Sequence, residues 1–483
     1  MTSEHSPGAA ATRLNWLRLL GSAAGLEALR QRTLDGIAID PVAEWPAAAA
    51  AAAAAAPLLA RANAAGWDVR PLHAAASPAA VAAAIAEDLA GGACSIALKL
   101  ATPGEFGLPP RYEAIAAALA GVPLDRIEVS LLCGDQYFGA AQTMMALWEA
   151  TGRPGYEMRA GIFADPLGAL ARTGGLEAGL WPSLELLGQF VAANMEAWPK
   201  VRLLLADGAL YHDAGASEAQ ELAAMLASTV EYIRVLDFDG VTAADLFPHL
   251  TLGLAADCNL FATIAKLRAS RLLLARLADS LGASAAAANV QLWVTSSQRM
   301  LTTRALHGNV LRNTIAALGA AAGGADVITV LPHDWAAGQP GPPARRLARN
   351  TLLLLSEESG LARVLDPGAG SGAIESLTDA LARRAWALFQ EIEVAGGMAK
   401  ALLSGKVQEG IADTAARREK LLAEGKVAIT GVTAFAAVEV EPVFRPHPAP
   451  APLERAETRV PALPVRRLSA ESQFDQLAKV PQI

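Results

Sequence analysis

Apolar and polar positions along this chain follow two periods. Short runs rich in aliphatic and β-branched residues stand at 94–100 (CSIALKL), 126–132 (RIEVSLL), 157–164 (EMRAGIFA) and 201–207 (VRLLLAD). Four more follow at 249–255 (HLTLGLA), 289–295 (NVQLWVT), 326–331 (DVITVL) and 361–366 (LARVLD). Between them lie longer stretches, such as 218–236 and 264–282, whose apolar residues recur at helical spacing. Eight strands, each followed by helix, predict an α/β protein built as a (β/α)8 TIM barrel. A doubly wound sheet of eight strands is the alternative; the barrel is favoured. On this reading the barrel occupies residues 91–440. A helical extension and arm (1–90) precede it, and a Pro-rich tail (441–483) follows.

Composition narrows the function classes. With 483 residues, 53% of them hydrophobic, the chain has material for a large core. A formal charge of −8 and the lack of a basic run with interleaved aromatics exclude nucleic acid as a partner. Cys94, Cys133 and Cys258 match no metal-ligand spacing and read as reduced thiols, so no metal is expected. The N-terminus has no basic start followed by an apolar core. The alanine run 47–56 is only weakly hydrophobic and is closed by Pro57 and Arg61, which predicts a surface helix instead of a membrane span. A cytoplasmic protein is expected.

The stretch RVLDPGAGSGAIESL (363–377) looks like a cofactor loop. A dinucleotide or methyl-donor site would place it after the first strand of a domain, with an acid about 20 residues on. Here it follows the eighth predicted strand and leads into one amphipathic helix, so it is read as a structural turn at the barrel mouth. Asp366 and Pro367 end the strand, Gly370 supplies backbone freedom, Ser371 caps the helix and Glu375 sits in its first turn.

Residues 357–402, running from EESGLARVLDPGAGSG through EIEVAGGMAKAL, resemble the end of the barrel in methylmalonyl-CoA mutases. There a DP.GGS turn, an E.LT helix start and an EIE..GG helix end recur in that order. Further similar stretches are TLDGIAIDP (33–41), YHDAGASEAQELA (211–223), NVLRNTIAALGAAAGGAD (309–326) and GKVAITGVTAF (425–435). The resemblance spans about 30–440. It implies an acyl-CoA-threaded barrel and a complex that interconverts (R)-methylmalonyl-CoA and succinyl-CoA with adenosylcobalamin.

The departures from the family pattern imply which member this is. None of the seven histidines lies in the D-x-H-x-x-G motif that supplies the lower cobalt ligand, and the tail resembles the family's linker. No cobalamin-binding domain is expected, so the cofactor would be held by a partner chain. Catalytic members carry GYHMQEAGA, whose His donates a hydrogen bond to the thioester carbonyl. Alignment on AGA (214–216) puts Leu210 there, with His212 as the fallback catalytic candidate. The HTQTAG stretch is replaced by WVTSSQRM (293–300), and LHTNSYDEA by ITVLPHDWA (328–336), with Thr329 where His is expected. His333 and Asp334 stay polar and read as a satisfied turn. SWY after the glycine turn has become Ser371, Gly372 and Ala373. No catalytic or cofactor-binding residue is therefore expected. The resemblance implies the small, non-catalytic subunit of a heterodimeric mutase, partnered by a catalytic large subunit, with acyl-CoA as a further candidate ligand. The alternatives are an active chain served by a separate cobalamin-domain polypeptide, and a stand-alone acyl-CoA-binding barrel.

Overall fold

The computed structural model describes residues 23–41, 66–435 and 445–468, with isolated positions at 15, 18, 19 and 43. The predicted arm (12–33) falls partly outside these residues and the alanine run 47–56 wholly so; Ala23–Leu29 is helical.

Eight parallel strands close into a barrel. Strand β1 is made of two short runs, Asp68–Val69 and Leu72–His73, on either side of Arg70 and Pro71. It is followed by β2 (Ser95–Lys99), β3 (Glu128–Gly134), β4 (Ala160–Ala164) and β5 (Val201–Asp207). Then come β6 (Leu250–Ala256), β7 (Gln291–Ser296) and β8 (Val327–Thr329). Neighbours in sequence pair around the ring, with register shifts where β3 meets β4 and β4 meets β5. The first half of β1 pairs with β8 (Ile328 opposite Val69), and its second half with β2 (Leu72 opposite Ala97). The ladder crosses the break, because the Arg70 amide donates to the Ile328 carbonyl and the Pro71 carbonyl accepts from Ala97.

This arrangement corrects two expectations. Residues 66–73 (GWDVRPLH) supply the first strand, inside the region read as a helical extension. Pro71, which has no amide to donate, and the charged Arg70 break the apolar signal there. Residues 361–366 form no strand. Leu361–Arg363 is a 3-10 turn, and Val364 and Leu365 stand half exposed, whereas barrel strands are covered on both faces. The other seven predicted strands each move up one place in the order.

The helices between strands are α1 (Pro78–Ala90), α2 (Tyr112–Ala118), α3 (Tyr137–Glu149), α4 (Leu180–Asn194) and α5 (Glu218–Asp237). They continue with α6 (Leu260–Ser280), α7 (Gly308–Ala322) and α8 (Pro342–Glu357). Helix α5 begins at a capping box in which Ser217 accepts from the Gln220 amide and the Gln220 side chain accepts from the Ser217 amide. Asp35, at the tip of a hairpin pairing Gln31–Arg32 with Ala38–Ile39, accepts from the Ser217 hydroxyl and the Ala219 amide. The short strand pair is thus fastened to the barrel's helix layer. No helix among the described residues is long and apolar enough to cross a membrane.

A second helix layer lies outside the first. Helix α9 (Gly372–Val394) packs across α5 and α6, so the glycine turn before it stands on the outer wall and not at the barrel mouth. Buried Arg268 on α6 holds it there: its guanidinium donates to Asp366, to both oxygens of Glu375 and to the Thr378 hydroxyl. Gly370 takes φ +83°, a conformation that favours glycine, and its amide donates to Glu375. Ser371 caps α9 through the Ile374 amide.

The Pro-rich segment 445–468 lies along the C-terminal face of the barrel. It hydrogen-bonds the loop after β8 (Arg445 with Ala337 and Gln339), the loop after β2 (Ala451 with Gly104) and a short pairing of Thr458–Arg459 with Gly175–Leu176. It ends on Asp213 and Arg299, through the amides of Arg466 and Leu468. His447 stacks on Phe106 with ring centres 4.1 Å apart and also meets Trp335. The segment is a strap across the mouth.

Two outcomes follow from the buried arginines. Arg70→Ala strands the Asp68 and Glu128 carboxylates and is expected to cost about 3 kcal/mol or more in urea unfolding. Arg268→Ala frees the outer layer, so amide exchange across Gly372–Val394 accelerates by at least tenfold while the barrel strands keep their protection.

Candidate functional site

The strands present alternate residues to the bore, and those residues fill it. At the bottom, the fully buried Arg70 side chain donates to Asp68 and Ser95, to the Ser130 hydroxyl at 2.7 Å and to Glu128 at 2.6 Å. Above it sits a compact apolar cluster of Ala97, Phe163, Leu205, Trp293 and Val327. The Phe163 and Trp293 ring centres are 5.3 Å apart, and the Arg70 guanidinium lies 5.5 Å from the Trp293 ring. Gly161 makes this possible: a Cβ there would stand 2.5 Å from the Phe163 ring. The indole N–H donates to Thr329 Oγ1 (2.8 Å), which donates to the Arg70 carbonyl (2.7 Å). The bore is sealed.

Over this floor lies a chamber of about 360 Å³ at the C-terminal ends of the strands, where barrels place their chemistry. Leu463, Pro464 and Val465 of the strap contribute its upper wall. On one side, Arg172 donates to Asp207 (2.8 Å) and Glu105 (3.3 Å) and approaches Asp165 at 3.6 Å. Lys99 pairs with Glu105 at 3.0 Å and lies over the Phe106 ring. Burial works against Glu105, yet Lys99 and Arg172 together hold its carboxyl at about 2. Asp165 has the opposite balance: burial pushes it up to about 6 against the pull of Arg172. Its Oδ1 accepts from the Tyr232 hydroxyl (2.6 Å) and the Gly168 amide (2.9 Å). Asp213 is likewise pushed up to about 6 by burial while accepting from the Gln298 and Arg299 amides.

The residues singled out from sequence are dispersed. Leu210 does line the chamber, but His212 turns away from it. The expectation that a two-residue step returns to the same face assumed an extended strand end. Ala209–Asp213 is instead a helical turn, in which two residues rotate by about 200°. His212 is fully buried, with Nδ1 3.0 Å from Glu221 and Nε2 3.0 Å from Ser297. Burial and the cations Arg299, Lys266 and Arg418 hold its imidazole well below the usual range, hence neutral. Glu221 also accepts from buried Lys266 (2.5 Å) and the Ala255 amide (2.7 Å), so the cluster ties α5 and α6 to β6. Thr329 belongs to the bore seal. His333 stacks on His307, and Asp334 accepts from the Gly341 amide. Asp366, Pro367, Gly370, Ser371 and Glu375 are on the outer wall, as are Gly372 and Ala373, so the altered SWY triplet is no part of this chamber.

Sequence reasoning did not single out Lys99, Glu105, Asp165, Arg172 or Asp207. A signal existed: Lys99, Asp165 and Asp207 are charged residues at the C-terminal ends of otherwise apolar strand runs, the positions that open onto a barrel mouth. For His212, truncation to alanine is expected to lower stability by about 2 kcal/mol, because Glu221 and Ser297 each lose a buried partner; chemical denaturation measures it.

Comparison with known proteins fits this architecture. A family model described as methylmalonyl-CoA mutase matches residues 110–467. The methylmalonyl-CoA mutase small subunit of Streptomyces virginiae is 45% identical over 386 residues, covering 80% of this chain and 61% of the relative. The small subunit of Propionibacterium freudenreichii subsp. shermanii is 34% identical over 385 residues (79% and 59%). The large subunit from that organism is 31% identical over 329 residues (65% and 44%). The chain thus spans about three fifths of the length of the small-subunit relatives it matches. With the family model covering most of the barrel and these identities over four fifths of the sequence, the chain belongs to the methylmalonyl-CoA mutase family.

Proposed function

We propose that this chain is the non-catalytic small subunit of an adenosylcobalamin-dependent methylmalonyl-CoA mutase. It supports a catalytic large subunit that interconverts (R)-methylmalonyl-CoA and succinyl-CoA. The sealed bore carries this reading. A substrate threaded along the barrel axis needs a continuous path, and Phe163, Trp293 and Arg70 occupy that axis. Leu210 supports it too, since an alkyl side chain facing the chamber offers no hydrogen bond to a thioester oxygen.

The mouth does not fit cobalamin. A corrin laid on this face would have to displace the strap, which is fastened to five of the loops there. Among the described histidines, His73, His212 and His249 are buried, His307 and His333 stack on each other, and His447 stacks on Phe106. None of them lines the mouth chamber. The cofactor is therefore assigned to the partner, and this chain's contribution is its folded surface.

Co-expression with a mutase large subunit tests the assignment. The tagged chain is expected to recover that subunit in equal amount, and the pair to turn over methylmalonyl-CoA when adenosylcobalamin is supplied. The chain alone is expected to show neither turnover nor acyl-CoA binding. Turnover with only a small cobalamin-binding polypeptide added would establish an active chain instead. Tight acyl-CoA binding by the isolated chain would establish a stand-alone binder.

A further inference from the structure

Helices α3 and α4 turn a nearly charge-free face to solvent. Helix α3 has 13 residues and α4 has 15, and each carries one charged residue, Glu149 and Glu185. By contrast α8, with 16 residues, carries Arg345, Arg346, Arg349 and Glu357. On the α3–α4 face Trp181 is 52% exposed, Phe138 41%, Leu186 40% and Met145 39%. One exposed apolar side chain is ordinary, whereas four on adjoining helices with no cation on either form a patch. The two helices make one surface. The Tyr137 hydroxyl donates to the Ser183 carbonyl (3.1 Å), and the Phe190 ring lies 5.0 Å from that of Tyr137 and 5.4 Å from that of Phe138. The strap steadies the end that bears Trp181, because Thr458 Oγ1 accepts from the Leu180 amide (2.9 Å).

Size and charge narrow what covers this face. At about 1.5 Å rise per residue and about 10 Å across each helix, it measures roughly 20 Å by 20 Å. That is about half of the ~800 Å² per partner in a standard interface, which suits its apolar core and leaves the polar rim to flanking loops. The charges of the two helices are both carboxylates. A second copy meeting this face with its own would set Glu149 and Glu185 against like charges, with no cation on either helix. A non-identical chain, apolar at the centre and carrying Lys or Arg at the edge, fits instead. We propose that the catalytic large subunit docks on the α3–α4 face, with Trp181 and Phe138 as anchoring side chains and cations of the partner beside Glu149 and Glu185. The proposal rests on the reading of this chain as a mutase small subunit and adds where the partner sits.

Calorimetric titration of the full chain with the host's own mutase large subunit tests it. Trp181→Ala combined with Met145→Glu is expected to weaken association at least about 100-fold, the scale of losing a central aromatic anchor and placing a charge beside it. Leu347→Glu combined with Leu354→Glu, at exposed apolar positions of α8, is expected to bind as the wild type does. Glu149→Lys combined with Glu185→Lys is expected to weaken association about tenfold by opposing the partner's cations. Oxidative footprinting of the wild-type complex needs no variant: Trp181 and Met145 are expected to lose at least about threefold in labelling rate as the partner excludes water from them. An unchanged footprint, or equal affinities for the wild type and the Trp181→Ala, Met145→Glu chain, overturns the docking face and leaves the subunit reading standing. Equal losses in the α8 and α3–α4 variants overturn the docking face as well. A wild-type chain that does not bind the large subunit overturns the subunit reading itself, and the docking face with it. Self-association of the isolated chain that Trp181→Ala with Met145→Glu abolishes makes a second copy the occupant and overturns the assignment to the large subunit.

Discussion

Closure of this barrel rests on one buried arginine. Strand β1 is interrupted at Arg70 and Pro71, and its two halves pair with different neighbours, so the ring is weakest where it closes. Arg70 spans that point. Its side chain reaches Asp68 on its own strand, Ser95 on β2, and Ser130 and Glu128 on β3, while its backbone takes Ile328 and Thr329 of β8. A guanidinium out of water needs such a set of partners. Four strands are fixed in register by one residue that cannot be moved without leaving a charge unpaired.

The same arginine sets the character of the interior. With a charged layer at the bottom, the bore is completed above by an apolar one, and the Trp293 N–H finds its acceptor in Thr329. The barrel becomes a solid support with a separate chamber on top. In the chamber, the carboxylates at the ends of β4 and β5 crowd around Arg172, and the strap of residues 445–468 lies over them. The bore is packed, two cations and four carboxylates line the mouth, and the strap is tethered across it.

Much of this was legible in the sequence. Seven of the eight strands stood out because buried parallel strands are nearly continuous apolar runs. The capped start of α9 was readable from Ser371 and Glu375, since capping is a local interaction. The first strand was hidden because Pro71 and Arg70 break its apolar run, though both are accommodated within the barrel. The run 361–366 looked like a strand because a short apolar stretch carries no mark of whether a neighbouring strand is there to pair with it.

The sequence by itself determined the (β/α)8 class, the local turns and caps, and a family resemblance carried by several ordered motifs. Each depends on residues close along the chain or on a recurring pattern. Only the tertiary structure decided which strand comes first, and that DPGAGSG braces an outer helix through Arg268 instead of edging the mouth. It also decided that Leu210 faces the chamber while His212 is buried against Glu221. The reason is the same in each case. A side chain's direction follows from the rotation of its own turn and from partners distant in sequence, such as Arg268 for Asp366 and Ser297 for His212. No local pattern records those meetings.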